Sequence, residues 1–336
     1  MLDWLRLIRA AGLVTIASNL LTAILVAVYS SEGLSPKIIL KRLVEYSGVH
    51  ALWVVVASVL LYCTGMIWND IVDHERDRTL HPERPLPSGR ISLPSAYIAG
   101  LMCAGGAMLA AAFADQSGSG HGFFACGAVL SLILLYNLVT KDIPWLGSLN
   151  MGLIRAAHAI FALLMLGTDY LKLAVLAQTP PEQTFVLAYP FILGIYVFGL
   201  TAMSELESRQ GRRWELLAAG GLMAGAILAA AWMLLSSHWL HTIDQVERPA
   251  VVVGLGVALL MGVALVAWLA SAVLRPWWQA LRSTERGLVA PAVMSALGGL
   301  ILLDAVIATS ANPLGGLCVT LLIPVFLVAR RIARMD

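Results

Sequence analysis

Within residues 69–77 stand an asparagine and three aspartates, Asn69, Asp70, Asp73 and Asp77, directly behind a long apolar run. If the helix formed by that run continues, residues at i, i+4 and i+8 share a face. Asn69, Asp73 and Asp77 then align, with Asp70 beside the last two. Carboxylates held so close repel one another unless a cation lies between them. Hard oxygen donors suit Mg²⁺, which usually shares its coordination shell with substrate phosphates. The plainer alternative is a solvated helix end whose acids pair with Arg76 and Arg78. Against it, acidic groups clustered at a membrane boundary are costly and usually functional. The stretch 78–92 follows directly, dense in arginine and stiffened by Pro82, Pro85 and Pro87. Guanidinium groups grip phosphate oxygens in a fork geometry, and a stiff loop needs little ordering to hold them. Arg78 and Arg84 are therefore candidate substrate contacts, although a purely topological excess of positive charge explains any single arginine here equally well.

A membrane must position these residues. Of 336 residues 59% are hydrophobic and 12% charged, against about 25% charged in soluble domains. Apolar stretches fall near 10–29, 50–68, 95–114, 122–139, 146–166, 184–203, 215–235, 250–273, 288–308 and 314–329, each long enough or nearly so to cross hydrocarbon about 30 Å thick. The expected fold is an all-α polytopic membrane bundle of about nine to ten transmembrane helices, forming one membrane-embedded domain over 1–336. The last stretch is short and contains Pro324, so nine spans plus a re-entrant or interfacial segment is the alternative. Continuous rather than alternating apolar runs argue against a β-barrel.

A net charge of +2 without a basic patch excludes nucleic acid as a partner. Cys63, Cys103, Cys126 and Cys318 stand singly in apolar runs, as packing residues do, with no redox or metal spacing. The first apolar run has no cleavage site behind it and reads as a retained span. Sorted by loop, Lys and Arg divide sixteen to five, with Arg155 left inside a span. That asymmetry assigns both termini and the charged loops 69–94, 140–145 and 204–214 to the cytoplasm, in a bacterial inner membrane whose lipids are the immediate partners. The segment 30–48 fits least, since its three basic residues fall on the other side, and an interfacial helix is expected at 38–43.

The order Asn69-Asp70-x-x-Asp73-x-x-x-Asp77, followed by Arg84-Pro85-Leu86-Pro87-Ser88-Gly89, resembles the first motif of the UbiA-type intramembrane prenyltransferases. The resemblance implies an all-helical bundle in which two Asp-rich loops hold Mg²⁺ and a prenyl diphosphate. It covers about 60–215 by order and spacing. It implies metal ligation by Asn69, Asp73 and Asp77, with Asp70 nearby. Tyr136 and Lys141 resemble the family's Tyr and Lys after the fourth span, and Asn150 and Arg155 fall where members often carry polar groups in the fifth. Lys141 would neutralise diphosphate oxygens, and Tyr136 would hydrogen-bond near the cleaving bond or anchor at the interface. Arg155, a charge about two turns into a span, needs a partner or a polar cavity.

The second family motif departs from the pattern. Glu207 falls at its last acidic position, four before Gly211, and Ser204 stands where Asp is common; Glu205 is the other acid. Glu205 and Glu207 are two apart, so on a helix they diverge. This Ser-Glu-x-Glu variant resembles the divergent EboC-like branch. Ser204, Glu205 and Glu207 are the candidate second-loop substrate contacts, with Glu207 the remaining metal ligand. His158 reads as an interhelical hydrogen-bonding group.

The expected activity is Mg²⁺-dependent transfer of a prenyl group from a prenyl diphosphate to an unidentified acceptor. The rival is a non-catalytic isoprenoid- or lipid-binding, or transport-associated, protein with a degenerate second motif. A membrane phosphoalcohol transferase also clusters aspartates, but its Asp-Gly-x-x-Ala-Arg run is missing.

Overall fold

In hydrocarbon a backbone has no water to bond, so each apolar run closes its N–H groups on its own carbonyls as helix. The computed structural model describes residues 2–32, 49–115, 118, 120–166, 181–208, 213–241, 249–283 and 286–333, and among these it contains no strand. The helices are α1 (Leu2–Leu7), α2 (Ala10–Glu32), α3 (Val49–Val72), α4 (His74–Leu80), α5 (Leu93–Ala114), α6 (His121–Leu135), α7 (Leu146–Met165), α8 (Pro181–Ser208), α9 (Arg213–Leu235), α10 (His238–His241), α11 (Pro249–Ser283), α12 (Val289–Ala311), α13 (Gly315–Thr320) and α14 (Leu322–Ala333). Eight of them are long and apolar enough to cross a membrane, and α2 adds a shorter apolar stretch, Ala11–Ala27. The chain is a polytopic helical membrane bundle. The interfacial helix expected at 38–43 lies outside the described residues.

The expected tenth span is a broken helix. The ring of Pro324 clashes with the carbonyl four residues earlier, at Thr320, where α13 ends. The two pieces still run antiparallel along α12. Gly316 lies against Ala305 and Thr309, Phe326 approaches Gly298, and Arg330 shares a surface pocket with Ala290. The span expected at 250–273 is longer than its hydropathy implies: α11 continues through Pro276 for 35 residues in all, about 52 Å at 1.5 Å per residue.

Helix α12 is the most enclosed, with every residue from Gly299 to Ala311 buried. It packs on α2, α8, α9 and α11. Helices α7 and α8 cross where Gly152 and Gly194 meet: a Cβ on Gly152 would come within 2.6 Å of the Gly194 carbonyl oxygen. Small residues at such a crossing let backbones approach closely. Helices α2, α3, α6 and α7 enclose an elongated chamber of about 120 Å³.

Candidate active site

The three aspartates do not line the chamber themselves but follow Asn69, which with Arg9 and Tyr136 lines one end of it. Helix α3 runs four residues past its expected end and stops at Val72, and α4 begins at His74. The backbone bonds Asp73 N–H to Asn69 O (3.0 Å) and Asp77 N–H to Asp73 O (2.8 Å) persist across the junction, so the i, i+4 spacing survives the break. Asp70, Asp73 and Asp77 are all buried, at 5%, 7% and 1% exposure. Each has its own cation. Arg9 lies 3.5 Å from Asp70, Lys141 Nζ 2.6 Å from Asp73, and Arg84 2.5 Å from Asp77. Arg76 stands farther from Asp73, at 3.7 Å, and also reaches Asp142. Arg78 turns outward to Glu75, 3.4 Å away, and does not join the cluster.

The surroundings explain how these cations are delivered. Arg9 is the left-handed residue (φ 48°) that links α1 to α2. Its carbonyl accepts the Tyr62 hydroxyl at 3.0 Å, an approach that only Gly12 permits, since a Cβ there would lie 1.9 Å from that hydroxyl. Arg84 rides the proline loop, which is fixed below by buried Leu86 and Ile91 and above by Arg90 donating to the Glu83 carbonyl at 2.5 Å. Ser92 then starts α5 by accepting the Ser95 N–H. Lys141 follows a π-turn, Tyr136–Thr140, that ends α6; such widened turns are frequent at functional sites. Asn150 secures that turn, donating to Thr140 Oγ1 at 3.0 Å and to the Leu132 carbonyl at 3.3 Å. Tyr136 and Asn69 line the chamber beside the cluster.

The second loop is arranged differently. Glu205 caps α7: its carboxylate accepts the Trp145 N–H at 3.2 Å and the Ser148 hydroxyl. The sequence offered no hint of this, because Trp145 and Ser148 are about sixty residues away. Trp214 stacks on Trp145, at 5.7 Å between ring centroids. Ser204 is partly buried, and Glu207 is exposed on the last turn of α8; neither lines the chamber. Residues 209–212, including Gly211, lie outside the described residues. Glu205→Ala is expected to cost about 1–2 kcal/mol, as loss of a helix N-cap does. Thermal unfolding of the purified protein in detergent measures it, and an unchanged midpoint would remove the capping role.

Deeper in the chamber Arg155 donates to Asn19 Oδ1 (3.1 Å) and Thr15 Oγ1 (3.3 Å). Asn19 in turn donates to Asp304 Oδ2 at 2.7 Å, where Ser18 also donates. Asp304 is fully buried in α12. It was legible as an anomaly, a lone acid in an otherwise apolar span, which by default marks a functional or structural polar site. Sequence reasoning also read Arg9 as topology alone. His158, expected to be satisfied between helices, has no hydrogen-bond partner at either ring nitrogen.

Among the described residues no three His, Cys, Asp or Glu side chains converge to enclose an ion. The mouth nonetheless fits Mg²⁺, because that ion commonly takes one or two carboxylates and completes its shell with waters and phosphate oxygens. Hard oxygens and charge-balancing cations thus stand beside a chamber inside an intramembrane helical bundle. The chain belongs to the UbiA prenyltransferase family, whose model matches residues 19–282.

Among relatives, the digeranylgeranylglyceryl phosphate synthase of Pyrococcus abyssi is 35% identical over 133 residues, covering 38% of this chain and 47% of that protein. The enzyme of the same name from Methanothermobacter thermautotrophicus is 27% identical over 198 residues, covering 55% and 62%. The chain thus spans about half the length of the curated relatives it matches. Among solved structures, one of a digeranylgeranylglyceryl phosphate synthase in membranes aligns at TM-score 0.56 and 14% identity, over 92% of this chain and 97% of that one. A UbiA homolog from Aeropyrum pernix aligns at 0.51 and 18%, over 85% and 96%. One from Archaeoglobus fulgidus, bound to GPP and Mg²⁺, aligns at 0.50 and 14%, over 91% and 99%. At these identities the likeness is one of fold.

Proposed function

We propose that this protein transfers a prenyl group from a prenyl diphosphate to an acceptor that reaches the chamber. The observation that carries the reading is the set of three buried aspartates, each neutralised by its own cation, at the head of that chamber. Asn69, Asp73 and Asp77 would hold Mg²⁺, with Glu207 the candidate from the second loop. Bound there, Mg²⁺ supplies positive charge to the diphosphate oxygens as the bond to the prenyl carbon breaks. Lys141, Arg84 and Arg9 exchange carboxylate partners for diphosphate oxygens and stabilise the same developing charge. Tyr136 donates a hydrogen bond beside the cleaving bond, and Asp70 holds Arg9 in place until the diphosphate arrives. Arg78, Asn150, Ser204 and Glu205 stand farther out in this reading, supporting the loops and the turn that carry the contacts.

The walls at Leu61, Met66, Ile133, Met151 and Ile154 bury the prenyl chain, worth about 0.8 kcal/mol per CH₂, and keep water from the allylic cation until the acceptor attacks. The mouth opens to the cytoplasm of a bacterial inner membrane, with both termini on that side, in keeping with the sixteen-to-five distribution of basic residues.

The commitment of Glu205 to capping α7 and the exposure of Glu207 favour a second reading, a lipid-binding protein that grips the diphosphate without cleaving it. Both readings require the metal for binding. Purified protein is expected to bind geranyl diphosphate with Mg²⁺ and to lose at least tenfold in affinity in excess chelator, as read by calorimetry. Equal binding with chelator would exclude a metal-diphosphate site. Product analysis with host lipid extract then separates the two readings, since only the transferase releases diphosphate.

A further inference from the structure

Lys141 carries its charge on a flexible four-carbon stem, so where its ammonium rests depends on how firmly its backbone is held. Four residues on, Trp145 adopts φ 66°, a left-handed conformation that is costly for a residue with a Cβ. Strain of this kind persists only where the surroundings over-determine it, and it clusters at functional sites. Among the described residues one other non-glycine backbone has a positive φ, that of Arg9, which delivers the cation facing Asp70. Trp145 is held on three sides. Its N–H donates to the Glu205 carboxylate at 3.2 Å, its ring stacks on Trp214 with the planes 8° apart, and it meets Phe198 edge-on at 5.9 Å between centroids. Glu205 and Phe198 belong to α8 and Trp214 to α9, so the hold comes from outside the loop that carries Lys141.

The grip passes to Lys141 through one contact. Gly147, in the first turn of α7, lies against the backbone of Thr140 and Lys141: a Cβ there would come within 2.8 Å of the Thr140 carbonyl oxygen and 3.0 Å of the Lys141 Cα. Its neighbour Ser148 is fully buried and donates its hydroxyl to the same Glu205 carboxylate. Glu205 thus pins a residue on each side of Gly147, and Lys141, on the far side of the contact, reaches Asp73 at 2.6 Å. We propose that Glu205 is a positioning residue for Lys141, pressing the first turn of α7 against residues 140–141 so that the ammonium stands where diphosphate oxygens arrive. Glu205 then serves the charge cluster through backbone packing and is not itself a metal ligand. Misplacing a contact group by about 1 Å can cost about a hundredfold in rate, so such a hold has a large lever. Naming diphosphate as the group that Lys141 meets rests on the proposed function; the hold of Glu205 on Lys141 does not.

The test is amine labelling of the purified protein in one detergent, with Lys141 followed by peptide mass spectrometry and Lys37, Lys41 and Lys172 as references. In wild-type protein the Lys141 side chain is 8% exposed and paired with Asp73, so it labels slowly. Glu205→Ala is expected to speed Lys141 labelling about tenfold and leave the reference rates unchanged, the scale of losing one charged hydrogen bond. Glu205→Gln, whose amide oxygen still accepts the Trp145 N–H, should stay near the wild-type rate. An unchanged Lys141 rate in Glu205→Ala would overturn the proposal. If that variant fails to fold, with all four lysines accelerated, Gly147→Ala takes its place, because the added Cβ must displace residues 140–141 while Glu205 remains. An unchanged Lys141 rate there carries the same meaning. Affinity for geranyl diphosphate with Mg²⁺ is measured on the same samples. Glu205→Ala should lower it about tenfold, and should lower it no further in a Lys141→Met background, because the two groups act in series. An equal loss in both backgrounds, or a raised Mg²⁺ requirement in Glu205→Gln, would make Glu205 a metal ligand and sink the positioning role. If wild-type protein binds no geranyl diphosphate while Lys141 labelling responds to Glu205, the proposed function fails and the positioning stands; binding with an unresponsive Lys141 sinks the positioning alone.

Discussion

Asp73→Asn and Lys141→Met are each expected to lower Mg²⁺-dependent cleavage of geranyl diphosphate at least a hundredfold, the scale of removing one charged or hydrogen-bonding group that stabilises a departing anion. The Asp73 and Lys141 side chains are 10% and 8% exposed and 2.6 Å apart, so they act as one unit. The double variant should therefore fall little further than either single one, because groups acting together are strongly non-additive. Lys141→Arg keeps the charge and loses the compact point geometry, so it should recover only part of the rate. Diphosphate release, followed for all four variants in one detergent, gives the comparison. Fully multiplicative losses would mean that the ion pair seen here is incidental to the site. Glu207→Gln in the same series reports on the second loop: a loss matching that of Asp73→Asn would draw Glu207 to the metal despite its exposure.

Asp304→Leu is expected to destabilise the folded protein by about 3 kcal/mol, since it strips the shared acceptor from two buried donors and the nearest acid from Arg155. Ser18 and Asn19 both donate to one oxygen of Asp304, and Asn19 carries the link to Arg155. Asp304→Asn should cost less, because its amide keeps an acceptor oxygen. Removing the whole chain of groups, as Asp304→Leu with Asn19→Leu and Arg155→Met, should restore much of the loss, as apolar replacement of complete buried ionic networks often does. Thermal unfolding in a fixed detergent reads the series. Unchanged stability of Asp304→Leu would show that the network contributes nothing net.

Much of the outline was legible in advance. The positions of eight long spans follow from hydropathy, and the register of Asn69, Asp73 and Asp77 follows from helical spacing. The ends of elements were less so. The overrun of α3 to Val72 and of α11 to Ser283 crosses polar residues that a hydropathy window discounts, because a helix does not stop where the hydrocarbon does. The break before α14 was legible in Pro324, but its course alongside α12 was not.

The sequence alone determined the class of the protein. Apolar runs of this length must be helical in a membrane, whatever their neighbours, because the backbone has no other donors and acceptors. It likewise determined which acids share a helix face, since i, i+4 relations are local. Only the tertiary structure decided who meets them. Arg9 and Asp70 are 61 residues apart, Lys141 and Asp73 are 68, and Asn19 and Asp304 are 285. Glu205 became the cap of α7 across 60 residues rather than a side chain of the chamber. Such pairings depend on how helices rotate and cross. Hydropathy sets which segments enter the membrane but is nearly silent on which face each turns inward, so the ion-pair partners, the capping glutamate and the polar groups deep in the chamber appear only once the helices are packed.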